Sequence, residues 1–505
     1  MAGVVLETLS NRKLLGLVIG VLVLQVVAFL IGGLIAPAPN SATSLLATKC
    51  LGEITEPPLR DWLEPWGQNK CVSIQSIDEV FHDKELVFAV RFPLMRENVQ
   101  LDMSRWFQNI MAIINVEKVY KNRDLAFPAT LHMDARLGYK NKGDDHWTEL
   151  VRSTETRPLK CEPPEIKDDG YNYHCEVLSL FELGSCHHDY YLVNIRLPMQ
   201  GGLNSETGRI DDLTLVEIHQ NGGFTRVWFA LKTFVFPLLL MALAWNAHRV
   251  RKLDRQANLL EKSLLCLGCT LVLLDLPVEW LTLWMHMPFM LLFSDIRQGL
   301  FYSVLFSFWI IFTGEHLMDQ LERNRLVLYW KHLSAVVFGC ICLFVFDMCE
   351  RGIQLQNPFY SVWATTVGMR LALAFIVMAG VAGCCYFLFL CYMVLKVFRN
   401  IGAKRESIPS MAKNRRKFYL GLIFRFKFLM FMTLLCAAMT VIAFIIVNVS
   451  EGYWKWGADN TVQYNSAMQT GVYAMWNLYV ICLLILYAPS HKYKMLQEQS
   501  EATRE

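Results

Sequence analysis

The chain has 505 residues, 54% of them hydrophobic and only 18% charged, with a net charge of +3. So little charge at this size excludes an ordinary soluble enzyme, and so small a net charge excludes a broad nucleic-acid-binding face. A polytopic membrane protein is the class that remains.

Apolar runs are expected to cross a bilayer at 14–36, 227–247, 259–285, 299–318, 333–349, 371–397, 418–447 and 471–488. Roughly 20 apolar residues at a rise of 1.5 Å span a hydrocarbon core of about 30 Å. The first run follows Arg12 and Lys13 but exceeds the apolar core of a signal peptide, and prolines occupy the expected cleavage position at 36–39. It therefore reads as a retained anchor. Basic residues cluster before the first run and in alternate loops, at Arg249, Arg251, Lys252 and Arg255, at Arg323, Arg325 and Lys331, and from Arg399 to Lys417. The positive-inside rule places those loops and both termini in the cytoplasm, and residues 37–226 on the luminal or external side. The domain scheme is then a cytoplasmic start at 1–13, a first span at 14–36, a polar domain at 37–226, seven helices over 227–488 and a short cytoplasmic tail at 489–505.

Within 37–226 the apolar period is two. Leu131, Met133, Ala135, Leu137 and Tyr139 alternate with polar or small residues, as do Tyr191, Val193, Ile195 and Leu197, and 86–92 and 213–218 are rich in β-formers. One face buried and one wet is the pattern of an antiparallel β-sandwich. Five cysteines fall here. Pairing between neighbours gives Cys50 with Cys71 and Cys161 with Cys175, leaving Cys186, although spacing does not fix connectivity. A zinc site from His174, His187, His188, Cys175 and Cys186 is the rival, but the spacing matches no zinc pattern. No metal is expected, and His187 and His188 read as exposed turn residues. The sequon at Asn448 abuts a span and is expected to see little use.

Charges inside spans are costly and invite a functional reading. Asp275 and Glu279 sit one helical turn apart, with Pro277 between them expected to kink the helix and free a carbonyl near Leu273. Asp295 and Arg297 open the fourth span; Asp347, Glu350 and Arg351 close the fifth. All seven fall toward the side of the β domain and describe a polar mouth above an aromatic, Met-rich interior that includes Phe301 and Tyr302. Structural ion pairing is the plainer reading of any single one of them. Glu315 and His316, at the other end of the fourth span, lack the partners of a nucleophile or metal set, and no cofactor motif occurs.

Longer strings then become recognisable. They are Ile218–Thr225, Asp295-Ile296-Arg297-Gln298-Gly299, Gly314-Glu315-His316, Phe346–Gly352 followed by Asn357-Pro358-Phe359-Tyr360, Gly421–Phe428 and Tyr487–Lys492. Together they resemble the Wntless family, and the likeness runs from Met1 to about Lys492. The resemblance implies a luminal β-sandwich joined to a seven-helix bundle similar to a G-protein-coupled receptor, preceded by the anchor helix. It also implies a carrier function without enzymatic activity. Acylated Wnt proteins bearing a palmitoleoyl chain would be taken up in the endoplasmic reticulum and escorted through the Golgi to the surface. Return would run through endosomes with retromer and clathrin adaptor machinery, and membrane lipids would be further partners. On this reading Asp275, Glu279, Asp295, Arg297, Asp347, Glu350 and Arg351 engage the cargo or shape its entrance, and Phe301 and Tyr302 line the acyl site. Tyr419 and Leu422 form a Tyr-x-x-apolar endocytic signal, unless Tyr419 simply belongs to the interfacial aromatic belt. The rivals are a seven-helix signalling receptor and a membrane acyltransferase.

Overall fold

A computed structural model describes residues 4–53, 62–65, 71, 74, 84–96, 99–120, 128–168, 170–198, 202–204, 207, 210–253, 255–317, 324–405, 413–456 and 466–490. Eight helices in it are long and apolar enough to cross a membrane.

The strands are β1 (Asn40–Leu46), β2 (Thr48–Glu53), β3 (Lys84–Phe92), β4 (Ile110–Glu117), β5 (Ala129–Lys140), β6 (Thr148–Leu159), β7 (Leu178–Leu183), β8 (Tyr190–Arg196) and β9 (Asp212–Gln220). They form a four-stranded sheet, β1-β9-β4-β7, and a five-stranded sheet, β2-β3-β8-β5-β6. All pairings within both sheets are antiparallel. The chain passes from one sheet to the other across Ala47, between β1 and β2. Alternation decides the packing. Phe88, Val90, Leu131, Met133, Ala135, Leu137, Val193 and Ile195 of the larger sheet meet Ile110, Ala112, Ile114, Leu213 and Leu215 of the smaller in one core. The expected sandwich is what forms. Cys50 is bonded to Cys71 and Cys161 to Cys175. Cys186 is buried beside Tyr191, and burial pushes its thiol up to about 12, which leaves it an inert core side chain.

The helices are a short α1 (Val5–Thr8), then α2 (Asn11–Leu30, running into a π-helical turn at Ile31–Ile35), α3 (Gly222–Arg251), α4 (Leu259–Asp275), α5 (Met290–Leu317), α6 (Trp330–Gln354), α7 (Thr366–Arg405), α8 (Lys413–Trp456) and α9 (Ser466–Leu486). Asn221 ends β9 and starts α3, its Oδ1 accepting from the backbone N–H of Gly223 at 2.9 Å. Such an N-cap satisfies an orphan donor and fixes where the sheet domain stops. Helix α5 starts at Met290 and carries Asp295 and Arg297 in its opening turns. Helix α6 runs beyond 333–349 at both ends. One difference from the sequence-based expectation follows local chemistry. Helix α4 stops at Asp275, and Pro277 caps a 3-10 turn over Val278–Leu283 instead of kinking one continuous helix.

Helix α2 packs on α9 through small residues. Gly32 lies against Thr470 and Ser466, and Gly471 against the ring of Phe29, so close that a Cβ at either glycine would overlap its neighbour. Gln25 Nε2 also donates to the Gly471 carbonyl at 2.8 Å. Close backbone approach of this kind is how helices associate where lipid is as apolar as leucine.

Candidate functional site

The sandwich sits on the bundle through a junction built from three short segments. The first is the turn at Ser104–Gln108 of the sandwich. Trp106 meets Trp280 edge-on at 5.8 Å, Arg105 donates to the Leu283 carbonyl at 3.0 Å, and the Thr282 hydroxyl donates to Gln108 Oε1 at 3.0 Å. The second is the loop between α6 and α7. Phe359 there is fully buried in the sandwich core, edge-on to Phe181 at 5.8 Å. Arg157 of β6 holds that loop by donating to the Phe359 carbonyl at 2.7 Å, while also donating to Glu155 at 2.6 Å and to the Ser179 carbonyl at 3.1 Å. The third is the stretch 184–189 between β7 and β8, where Gly184 lies against the Pro288 carbonyl so closely that a Cβ would not fit.

Between these contacts lies a cleft of about 150 Å³ with Glu182, His188 and Tyr191 on the sandwich side and His286, Leu291 and Arg351 on the membrane side. Arg351 reaches across it to Glu182 of β7 and lies 3.8 Å from Asp295 of α5. Gln354 donates to the Tyr360 carbonyl at 3.2 Å. On α6, Glu350 is buried and Asp347 lies on the exposed face.

The remaining charges form a second group deeper in the bundle. Glu279 Oε1 accepts from Lys232 of α3 at 2.7 Å and from Arg297 of α5 at 2.5 Å. Arg297 also donates to the carbonyls of Leu276, at 2.9 Å, and Leu273, at 3.5 Å. The carbonyl that Pro277 was expected to free is thus the one that Arg297 satisfies. Asp275 is 0% exposed. It adjoins Tyr473 and Asn477 of α9, with Lys232 as the facing cation. Glu279 therefore answers two cations in a region out of water, with Asp275 beside them. The seven charges expected at a single mouth are divided: Asp295 and Arg351 at the cleft, Asp275, Glu279 and Arg297 inside. Lys232 and Glu182 complete the two groups and were not anticipated, although a lone lysine in an apolar span is itself a signal.

Phe301 is fully buried in the bundle core and Tyr302 packs beside it, each with its ring 5.5 Å from that of Trp476. At the end away from the sandwich, His316 places Nδ1 2.6 Å from the Phe312 carbonyl and Nε2 3.1 Å from the Tyr487 hydroxyl. The carbonyl takes the Nδ1 proton, so Nε2 accepts from Tyr487. Tyr419 and Leu422 fall on α8, with the side chain of Tyr419 outside the described residues. The side chain of Asn448 and the chain after Ser490 also lie outside them.

His187 and His188 are not exposed turn residues. They are half-buried against His286, with ring centroids 5.4 Å and 5.8 Å from it, and His188 stacks on Tyr139 at 3.7 Å. Burial, and then the neighbouring imidazoles His286 and His187, push His188 down to about 4. A histidine held below its ordinary value resists a proton that the unfolded chain accepts near 6.5. Its contribution is complete above pH 6.5 and is lost as pH falls toward 4. Allowing for its partial exposure, the loss between pH 7 and pH 5 is about 1 kcal/mol. The thermal midpoint of the purified chain should drop over that interval, and His188→Gln should flatten the slope. An unchanged slope in the variant would remove His188 as its source. Among the described residues no group of three metal-ligating side chains converges to hold an ion.

Comparison with known proteins supplies the context. Residues 221–491 match the family description "Wntless-like, transmembrane domain", and residues 48–220 match "Wntless, GOLD domain". The chain is 50% identical to a protein wntless homolog of Gallus gallus over 97% of its own length and 92% of that protein, and 48% identical to one of Homo sapiens with the same coverage. It is 47% identical to protein wntless of Drosophila mojavensis, across its full length and 92% of that protein.

The chain belongs to the Wntless family.

The two Wntless descriptions meet between residues 220 and 221, which is where Gln220 closes β9 and Asn221 caps α3. The junction cleft thus lies between the Wntless GOLD domain and the Wntless transmembrane domain, with Glu182 contributed by the first and Arg351 by the second.

Proposed function

We propose that the chain is a cargo carrier that binds palmitoleoylated Wnt proteins in the secretory pathway and escorts them from endoplasmic reticulum and Golgi to the cell surface. Family membership over the whole chain supports a role in Wnt secretion. The observation that carries the finer reading is the pairing of a charged cleft at the sandwich–bundle junction with an aromatic interior directly beneath it. A fatty chain in water costs about 0.8 kcal/mol per CH₂. A bundle that opens around Phe301, Tyr302 and Trp476 would shelter that chain, while Glu182, Asp295 and Arg351 would meet the polypeptide that carries it. The domain scheme of the sequence reading, with the sandwich luminal, both termini cytoplasmic and return by way of retromer and clathrin adaptors, belongs to the same proposal.

The rival readings have less support. An acyltransferase needs a histidine free to move a proton, and both nitrogens of His316 are engaged. A receptor needs an accessible surface at the end of the bundle away from the sandwich, where residues 4–9 lie against Ala488 and Pro489.

Capture of an acylated Wnt by co-immunoprecipitation tests the proposal, with the same Wnt lacking its acyl chain as control. Capture should fall by an order of magnitude or more when the acyl chain is missing, and several-fold for Asp295→Asn combined with Glu182→Gln. Equal capture of the two Wnt forms by a correctly sorted chain would overturn the acyl reading. Undiminished capture by the double variant would remove the cleft from it.

A further inference from the structure

The first described residues do not trail away from the bundle. Val4 pairs with Pro489 in an antiparallel bridge, and the Val5 N–H donates to the Ala488 carbonyl at 2.9 Å. The Thr8 and Ser490 hydroxyls are 3.2 Å apart. Arg425 of α8 donates to the Leu6 carbonyl at 2.8 Å, to the Glu7 carbonyl at 3.3 Å and to Asn11 Oδ1 at 2.5 Å. Leu6 is 1% exposed and belongs to the same apolar core as Leu264 of α4, Phe312 of α5 and Leu486 of α9. On the far side Arg249 of α3 donates to the Pro489 carbonyl at 3.0 Å.

These contacts have a common logic. The last turn of α9 leaves carbonyls with no intrahelical donor. One of the carbonyls just beyond that turn, at Ala488, is taken by Val5. The carbonyls of α1, a helix of one turn, are taken by an arginine from α8. The fully buried side chain of Leu6 favours docking by taking apolar surface out of water. Three helices and the N-terminal segment are therefore tied together at the end of the bundle away from the sandwich.

We propose that residues 4–9 are a built-in stopper: an intramolecular docking segment that permanently closes this end of the bundle to insertion of a partner's helix. Arg425 is its positioning residue and Leu6 its anchor. A seven-helix receptor must open that end to act on a cytoplasmic protein. This chain fills it with residues 4–9, so exchange with a ligand is confined to the sandwich side.

The test uses the full chain in cell membranes. Thr8→Cys with Ser490→Cys should form a disulfide under mild oxidation, since the two hydroxyl oxygens already lie at side-chain contact distance. Adding Arg425→Ala should slow that bond several-fold. Ala488→Cys, whose position is 0% exposed, should be protected from maleimide as read by peptide mass spectrometry. It should label about tenfold faster or more once residues 2–9 are deleted, because the protection comes from a local closed state. The cross-linked chain should deliver cargo as well as the reduced one. Failure of the disulfide, or rapid labelling at 488 in the intact chain, would overturn the docking. Loss of delivery on cross-linking would overturn permanence, since the segment would then have to move. The proposal rests on the carrier reading only in that delivery arm, so chemical protection without any Wnt delivery would count against the carrier and not against the stopper.

Discussion

Replacing Glu279 by glutamine is expected to lower the stability of the folded chain by about 3–5 kcal/mol, the range found when one member of a buried ion pair is removed. The carboxylate stands between Lys232 and Arg297, both almost fully buried. Glutamine keeps the volume but leaves two cations facing one neutral amide. A glutamine Nε2 placed toward either cation would add donor against donor. The damage should be partly relieved by Lys232→Met in the same chain, which removes one of the two cations that the amide faces, so that the double variant is less destabilised than the sum of the two single changes. Thermal unfolding of the purified protein in detergent or nanodiscs reads this directly. A Glu279→Gln chain that melts with the parent would mean that the two cations are satisfied elsewhere.

Arg157→Ala should be nearly as costly, at about 3 kcal/mol, and its effect should be felt outside its own domain. The side chain is 3% exposed and donates to one carboxylate and to the carbonyls of Ser179 and Phe359. Its loss strands buried acceptors in the sandwich. It also unties the α6–α7 loop, whose other main anchors are the Phe359 ring and the bond from the Glu182 N–H to the Pro358 carbonyl at 2.9 Å. Hydrogen exchange should rise at 355–361 and at the cleft residue Glu182 while the distal strands β1 and β9 stay protected. Arg157→Lys, with one compact charge instead of a planar fork, should recover only part of the loss. Exchange that rises uniformly through the sandwich would point to simple unfolding instead of a severed tie.

The spans and the sandwich could be read from the chain because each depends on a short-range pattern. An apolar run of some 20 residues specifies a helix in lipid whatever its neighbours are, and Leu131 to Tyr139 announce a strand by alternation alone. The charged residues were equally visible, since each interrupts an apolar surround. Their partners were not. Glu182 reads as an unremarkable charge on a strand, and only the fold brings Arg351 to it across 169 positions (351 − 182). Lys232 interrupts its apolar run visibly, but nothing in the run shows that Glu279 is its partner. His187 and His188 look like turn residues because nothing nearby in sequence shows that His286 will cover them. Phe359 reads as a loop aromatic, yet it belongs to the core of the sandwich that precedes it by more than a hundred positions. Periodicity reports which face of an element is buried and is silent about what buries it.

The seam between α2 and α9 bears on how the molecule is made. The first span is made before Gly471 and Thr470, against which Phe29 and Gly32 nest. The amide of Gln25 therefore waits 446 positions for its acceptor. A product ended before α9 would carry a glutamine in its opening helix without that partner.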